Sequence, residues 1–257
     1  MLVLLAESKT MNTGVHPVDE TTFLSNTPFF EEDADHIASY LRSLPLPLLK
    51  EQLSLSESLT KKAALMFYDF PNKTSGIQAI EAFTGEVFRS LDFNSLDKVA
   101  KDMAMNKIGF ISSLYGYLRP KDIIKPYRLD FNSKIKLEDK SLSRFWKSRI
   151  TGLIIKILNT TGERQILDLL PGDAYKYIDW KRIPNSVKVL KIDFKSVSDG
   201  GELSTPQAGR LKELRGLLCR HIFKSRINDF DTLLYTGTED FCSTEKITDG
   251  KRLIFLS

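Results

Sequence analysis

The sequence predicts a mixed α/β (α+β) chain, with a central mixed β-sheet surrounded by helices in one domain over residues 1–257. Three observations lead there. Residues 2–6, LVLLA, are uniformly apolar, as in a strand covered on both faces. Several later segments repeat apolar residues at i, i+3, i+4 and i+7, the period of an amphipathic helix. Further strand-like runs, Gln165–Leu170, Val187–Phe194, Thr232–Tyr235 and Arg252–Leu256, are separated by helical stretches, which favours a mixed sheet with helical connections.

The first strand runs into a polar turn, Glu7 to Asn12, and then an irregular stretch over 13–30. Ile37, Tyr40, Leu41 and Leu44 have helical spacing, and Pro45 and Pro47 punctuate that helix. Leu48, Leu49 and Leu53 continue on a short helix. Ser56 is placed to cap a helix carrying Leu59, Ala63, Met66 and Phe67. Two more helices are expected at Ile77–Phe83 and Ser95–Met105. The stretch Ser112–Phe131 is broken by Gly116, Pro120 and Pro126. Ser143 then caps an amphipathic helix with Phe145, Trp146, Ile150, Leu153, Ile154, Ile157 and Leu158 on its apolar side. Thr205 and Pro206 open a helix reaching to about Arg226.

Composition narrows the function classes. No apolar run approaches the roughly 20 residues that cross a bilayer, and the N-terminus lacks the basic start of a signal peptide. A cytoplasmic chain, monomeric and without a membrane partner, is expected. Cys219 and Cys242 make neither a disulfide framework nor a metal site. His16, His36 and His221 are scattered, without ligand spacing. No metal and no cofactor are expected. Dinucleotide, P-loop, HExxH and GxSxG signatures are absent. Net charge is +4, but its distribution is uneven. Residues 98–149 carry 13 basic and 5 acidic groups, and residues 205–226 carry 6 and 1. Clustered cations attract polyanions, nucleic acid above all.

Four segments could carry chemistry. Glu7-Ser8-Lys9-Thr10 follows the first strand, where α/β sheets hold ligands; otherwise it is a polar turn. Ser112–Phe131 gathers Tyr115, Gly116, Tyr117, Arg119, Lys121, Lys125, Tyr127 and Arg128. Arginines bind phosphate in a bidentate way, and an apolar-x-Gly turn between short helices is how helix-hairpin-helix modules hold a DNA backbone. The plainer reading makes the tyrosines core and pairs the arginines with Asp122 and Asp130. The third is the basic helix with Arg210, Lys212, Arg215, Arg220, Lys224 and Arg226. The fourth is Asp168 and Asp173 in LDLLPGDAY, a carboxylate pair or a loop cap.

Taken together, these segments resemble the YaaA family of bacterial peroxide stress proteins. The blocks that carry the likeness are LLAESKTM, AFTGEVFRSLDF, SSLYGYLRPKDIIKPYRLDF, RFWKSRIT, LDLLPGDAY and LKELRGLLCR. The resemblance implies a fold of unusual topology with a positively charged cleft. It also implies binding of double-stranded or branched DNA through a helix-hairpin-helix element, in a peroxide stress role linked to lowered free intracellular iron. Two departures stand out. The family usually has Pro-Ala where this chain has Glu7-Ser8, and Glu213 replaces a lysine in Leu211-Lys212-Glu213-Leu214-Arg215-Gly216. The expected DNA or phosphate contacts are Lys9, Tyr115, Gly116, Arg119, Lys121, Lys125, Tyr127, Arg128, Lys212 and Arg215. The alternative is an enzyme acting on a phosphorylated or nucleotide-like small molecule, with Ser8, Lys9, Tyr127 and Asp168 as catalytic candidates beside Arg128. A third reading is an interaction protein that meets an acidic protein surface.

Overall fold

The computed structural model describes residues 1–72, 75–198, 200–248 and 251–257. Its main sheet contains β1 (Leu2–Ala6), β2 (Ile108–Ser112), β3 (Gly116–Leu118), β4 (Gln165–Asp168), β5 (Lys188–Val197), β6 (Leu203–Ser204), β7 (Cys242–Thr248) and β8 (Arg252–Leu256). The order is β7-β8-β5-β4-β1-β2-β3, with β6 paired to β5. Strands β2, β1, β4, β5 and β8 run parallel, and β3, β6 and β7 are antiparallel to their neighbours.

The apolar run at the N-terminus explains the centre of this arrangement. Leu2, Val3, Leu4 and Leu5 are buried, because β1 lies between two parallel neighbours under helices. The chain leaves β1 for β2 on one side and later inserts β4 on the other. Strand order therefore reverses at β1, and such a reversal opens a crevice at the carboxyl ends of the strands.

Helices α1 (Glu31–Ser43), α2 (Leu46–Leu53), α3 (Glu57–Asp69), α4 (Glu86–Leu91), α5 (Lys98–Lys107), α6 (Leu142–Thr161) and α7 (Ala208–Lys224) surround the sheet. Ser56 caps α3 as expected, its Oγ accepting from Leu59 N. Asp97 caps α5 through Ala100 N at 2.8 Å. The first residue of α6 is Leu142, so Ser141 rather than Ser143 stands at its N-cap. The first residue of α7 is Ala208, after Gln207. The apolar side of α6 buries Phe145, Trp146, Ile150, Ile154 and Leu158.

Three local expectations are corrected. Residues Thr232–Tyr235 are not a strand: Phe230–Leu234 is a short helix, because the Asp229 carboxylate accepts from Thr232 N at 2.7 Å and starts a helical turn. Of the helix expected at Ile77–Phe83, only Ala79–Ala82 is helical. Ser75–Gln78 pairs as a strand with Ile123–Ile124, and Gly76 lets the Ile123 side chain approach closely. Finally, Ser112–Phe131 contains no helix, so no helix-hairpin-helix is built there. Its turn joins two strands, with Ser112 opposite Gly116 and Phe110 opposite Leu118. Two consecutive helices, α2 and α3, are joined earlier by Ser54-Leu55-Ser56.

Gly116 has φ +67°, and a Cβ there would lie 2.6 Å from the Trp146 ring. Left-handed strain and overpacking then act together. Gly116→Ala should cost about 2–4 kcal/mol of stability, read from the midpoint of chemical denaturation at unchanged slope.

Candidate functional site

At the carboxyl end of β1 the chain places an acid inside a hydrogen-bonded cage. The Glu7 amide donates to Ile111 O at 2.9 Å, which extends the β1–β2 pairing by one residue. The Glu7 carboxylate accepts from Ser113 N at 3.0 Å, from Ser113 Oγ at 2.6 Å and from the Tyr127 hydroxyl. The Ser112 hydroxyl lies 2.8 Å from the Tyr127 hydroxyl and accepts from Leu114 N and Tyr115 N at 3.2 and 2.9 Å. With two amides on Ser112 Oγ, its own proton is directed to Tyr127, and the Tyr127 proton to Glu7. Loss of water around Glu7 pushes its pKa up to about 7, against the lowering effect of the Ser113 and Tyr127 hydrogen bonds.

The turn after Glu7 is tied down from the other side. Thr10 N donates to Ser8 Oγ at 3.1 Å. The Ser8 hydroxyl occupies the place a Cβ would take at Gly85. Lys9 is exposed, and its Nζ lies 2.7 Å from Asp130 Oδ2. Arg128 Nη1 donates to the Lys9 carbonyl at 2.7 Å. Arg128 Nε, Asp130 Oδ1 and Ser133 Oγ are enclosed without a hydrogen-bond partner.

The other expected contact residues separate into distinct places. Tyr115, Lys125 and Tyr127 are 1%, 4% and 3% exposed. The Tyr115 hydroxyl accepts from Lys125 N at 3.0 Å, and Lys125 Nζ reaches Ser75 Oγ and Asp69 at 3.0 and 3.2 Å. These three groups and the buried Gly116 hold the block together instead of facing solvent. Arg119 binds the fully buried Asp122 through Nε at 2.6 Å and the Thr27 carbonyl at 3.0 Å, and lies over the Phe29 ring. Burial pushes the Asp122 carboxyl up to about 6, and Arg119 opposes this. By strand register, Arg119 and Lys121 follow the end of β3 that faces the start of β2, away from Glu7. Lys212 is exposed on α7. Arg215 is half-buried on α7, and its charge favours the ionised form of Asp168, while burial raises the Asp168 pKa to about 6.

Both helices and the Ser56 cap follow the sequence pattern, but the turn Ser54-Leu55-Ser56 between them has no glycine to mark it. Ser54 takes the left-handed conformation, with φ 53°, a role that glycine usually fills. The available signal was Leu55 flanked by serines, just ahead of the Ser56 cap.

A family model described as peroxide stress protein YaaA matches residues 1–247. The chain belongs to that family. It is 34% identical over 262 residues to a UPF0246 protein of Parabacteroides distasonis, covering all of this chain and 99% of the relative. UPF0246 proteins of Francisella tularensis and Francisella philomiragia are 27% and 24% identical over 259 residues, covering 99% of both partners in each case. Segments far apart in the sequence meet around the end of β1 and its flanking helices. Glu7 and Ser8 touch Ser113, Tyr127 and Gly85, Trp146 Nε1 donates to Ser113 O at 2.8 Å, and Gly216 packs on the Val87 carbonyl.

The Glu7 environment has a signed pH consequence. Between 4.5 and about 7 the folded chain holds a proton that the unfolded chain releases. The stability owed to this group is full below the lower value and falls as pH rises to the upper one. Glu7→Gln removes that dependence. The stability of the variant minus that of the wild type should rise across this window and level off above it. A flat difference in denaturant titrations would place the carboxyl in an ordinary environment.

Proposed function

We propose that this YaaA-family protein binds duplex or branched DNA by its backbone and protects it during peroxide stress, with lowered free iron as the linked cellular trait. The observation that carries the reading is the exposed helical hairpin of α2 and α3. Ser54, Ser56, Glu57 and Ser58 are all exposed. In the first turn of α3 the Leu59 amide is capped by Ser56 Oγ, the amides of Glu57 and Ser58 have no acceptor within the helix, and such a helix start suits a phosphate. Lys50, Lys61, Lys62 and Lys134 are exposed around it. The Lys134 amide donates to Gln52 O at 2.8 Å, which brings that lysine to the hairpin. Glu57 offsets part of this charge, and is itself paired with Lys61 at 2.7 Å.

Backbone amides and lysines contact phosphate without reading bases. Sequence preference should therefore be weak and the salt dependence steep. Segment 127–134 leads from the hairpin to Arg128 and Lys9, which would extend the track. Lys121, Lys212 and Arg215 would belong to flanking contacts. The cytoplasm, where bacterial DNA lies, is the compartment this reading requires.

Fluorescence anisotropy with a duplex at several salt concentrations tests it. Replacing Lys50, Lys62 and Lys134 together by Ala should weaken binding by about 10-fold or more and reduce the salt slope by roughly 3, near 0.9 per lost phosphate contact. Unchanged affinity in a variant with a normal circular dichroism spectrum would remove the hairpin from the site.

A further inference from the structure

A cavity of about 520 Å³ is lined by residues of segment 77–94 together with Asn12 and His16. None of its lining residues belongs to the turn between α2 and α3 or to the Glu7 cage. Backbone pairing holds its walls. Met11 bridges to Phe83, Asn12 N donates to Ala82 O at 2.8 Å, and His16 pairs with Gly76, so the chain over 11–16 is pinned at both ends. Between these anchors Asn12 Oδ1 accepts from Gly14 N at 2.9 Å. Another wall is α4 with the short turn Phe93–Ser95 that follows it. α4 is fixed in turn by α7, whose Gly216 packs on the Val87 carbonyl. The space is therefore pre-formed, and its volume falls within the roughly 300–1,000 Å³ of small-molecule sites.

The lining divides into an apolar part and a polar part. Ile77, Ile80, Phe83, Phe88 and Leu91 are buried residues of the core. The Phe83 and Phe88 rings pack on each other and on Phe110, with centroids 5.2–5.5 Å apart, so the aromatic lining is anchored. Apolar lining of this kind is stabilised when a ligand displaces its water. Asn12, His16, Glu81, Arg89, Asp92 and Asn94 are exposed. Two of their charges are already engaged: Arg89 pairs with Glu86, and Asp92 with Arg220. The side chains of Glu81 and His16 make no hydrogen bond and no ion pair among the described residues. The uncompensated charge of this lining is therefore the Glu81 carboxylate.

That charge selects the ligand. A phosphate or carboxylate would meet Glu81 unfavourably, and Arg89 is held by Glu86 instead of being free to receive it. A cation attached to an apolar ring satisfies both parts of the lining, the ring against the phenylalanines and the charge at Glu81. His16 and Asn94 stand on the same lining as further hydrogen-bonding groups.

We infer that this cavity binds a small aromatic amine, its ring on the Phe83–Phe88 side and its ammonium at Glu81. The site uses none of the residues assigned to DNA and does not rest on that reading.

Isothermal calorimetry on the full chain tests this with three probes of nearly equal size. At neutral pH tryptamine ends in a cation, tryptophol in a neutral hydroxyl and indoleacetate in an anion. Tryptamine should bind with a dissociation constant of about 1 mM or below. It should bind about 3-fold tighter than tryptophol, the scale of one exposed ion pair, and indoleacetate should bind weakest. Glu81→Gln should bring tryptamine to the affinity of tryptophol and leave tryptophol unchanged. Thr84→Trp, which sets a ring into the lining, should weaken all three. If Thr84→Trp does not fold, amide chemical shifts of the isotope-labelled wild-type chain decide. Tryptamine should then move the signals of Ile77, Ile80, Phe88 and Leu91. No binding of any probe at about 10 mM, or shifts confined to other residues, overturns the site. Tryptophol or indoleacetate binding as tightly as tryptamine overturns the choice of an amine.

Discussion

The position of β1 is the constraint from which the site follows. A strand with apolar residues on both faces must lie inside the sheet, and here it lies where strand order reverses. Its last residues therefore emerge into the crevice between the paths to β2 and β4. Glu7 leaves the strand while its amide is still paired with Ile111 O. The carboxylate must then find donors without water. Ser113 and Tyr127 provide them, and this fixes both the turn after β2 and the return of the chain at 127. The contact of Trp146 with Ser113 O and the close approach of Ser8 to Gly85 build outward from that first arrangement.

Counting basic residues along the chain overstates the charge available to a partner. Three cations of the most basic segment are turned inward. Lys125 is spent on Asp69 and Ser75, Arg119 on Asp122 and the Thr27 carbonyl, and Arg128 on the Lys9 carbonyl. Buried cations of this kind offset acids and carbonyls that folding would otherwise leave unpaired. Lys50, Lys62 and Lys134, by contrast, lie exposed on the surface around the turn between α2 and α3.

What could be read from the sequence followed from pattern strength. The run Leu2–Leu5, the Ser56 cap and the apolar side of α6 each state one structure, and each is present. The failures have local causes. A capping aspartate at 229 turned a β-prone stretch into a helix. Gly116 was legible as a turn, but its partners were not, because a left-handed glycine serves a strand hairpin as readily as a helical one. The helices on either side of Ser54 were legible, but its left-handed conformation was not, because glycine is the usual signal for it. The convergence of Glu7, Ser113 and Tyr127 rests on the parallel pairing of β2 with β1. No periodicity in a single sequence encodes that pairing.

The acid at position 7 has a physical role. A proline there would have no N–H and so could not donate to Ile111 O. Proline would also leave Ser113 N, Ser113 Oγ and the Tyr127 hydroxyl without their carboxylate acceptor. The Ser113 hydroxyl already has a second acceptor, the Leu129 carbonyl at 3.0 Å, and the Tyr127 hydroxyl has Ser112. The Ser113 amide has no such alternative in this arrangement. Glu7 is therefore coupled most tightly to the backbone at 113. The acid is thus part of how this chain closes the crevice at β1, and its effect on the site is felt through the position of segment 127–134.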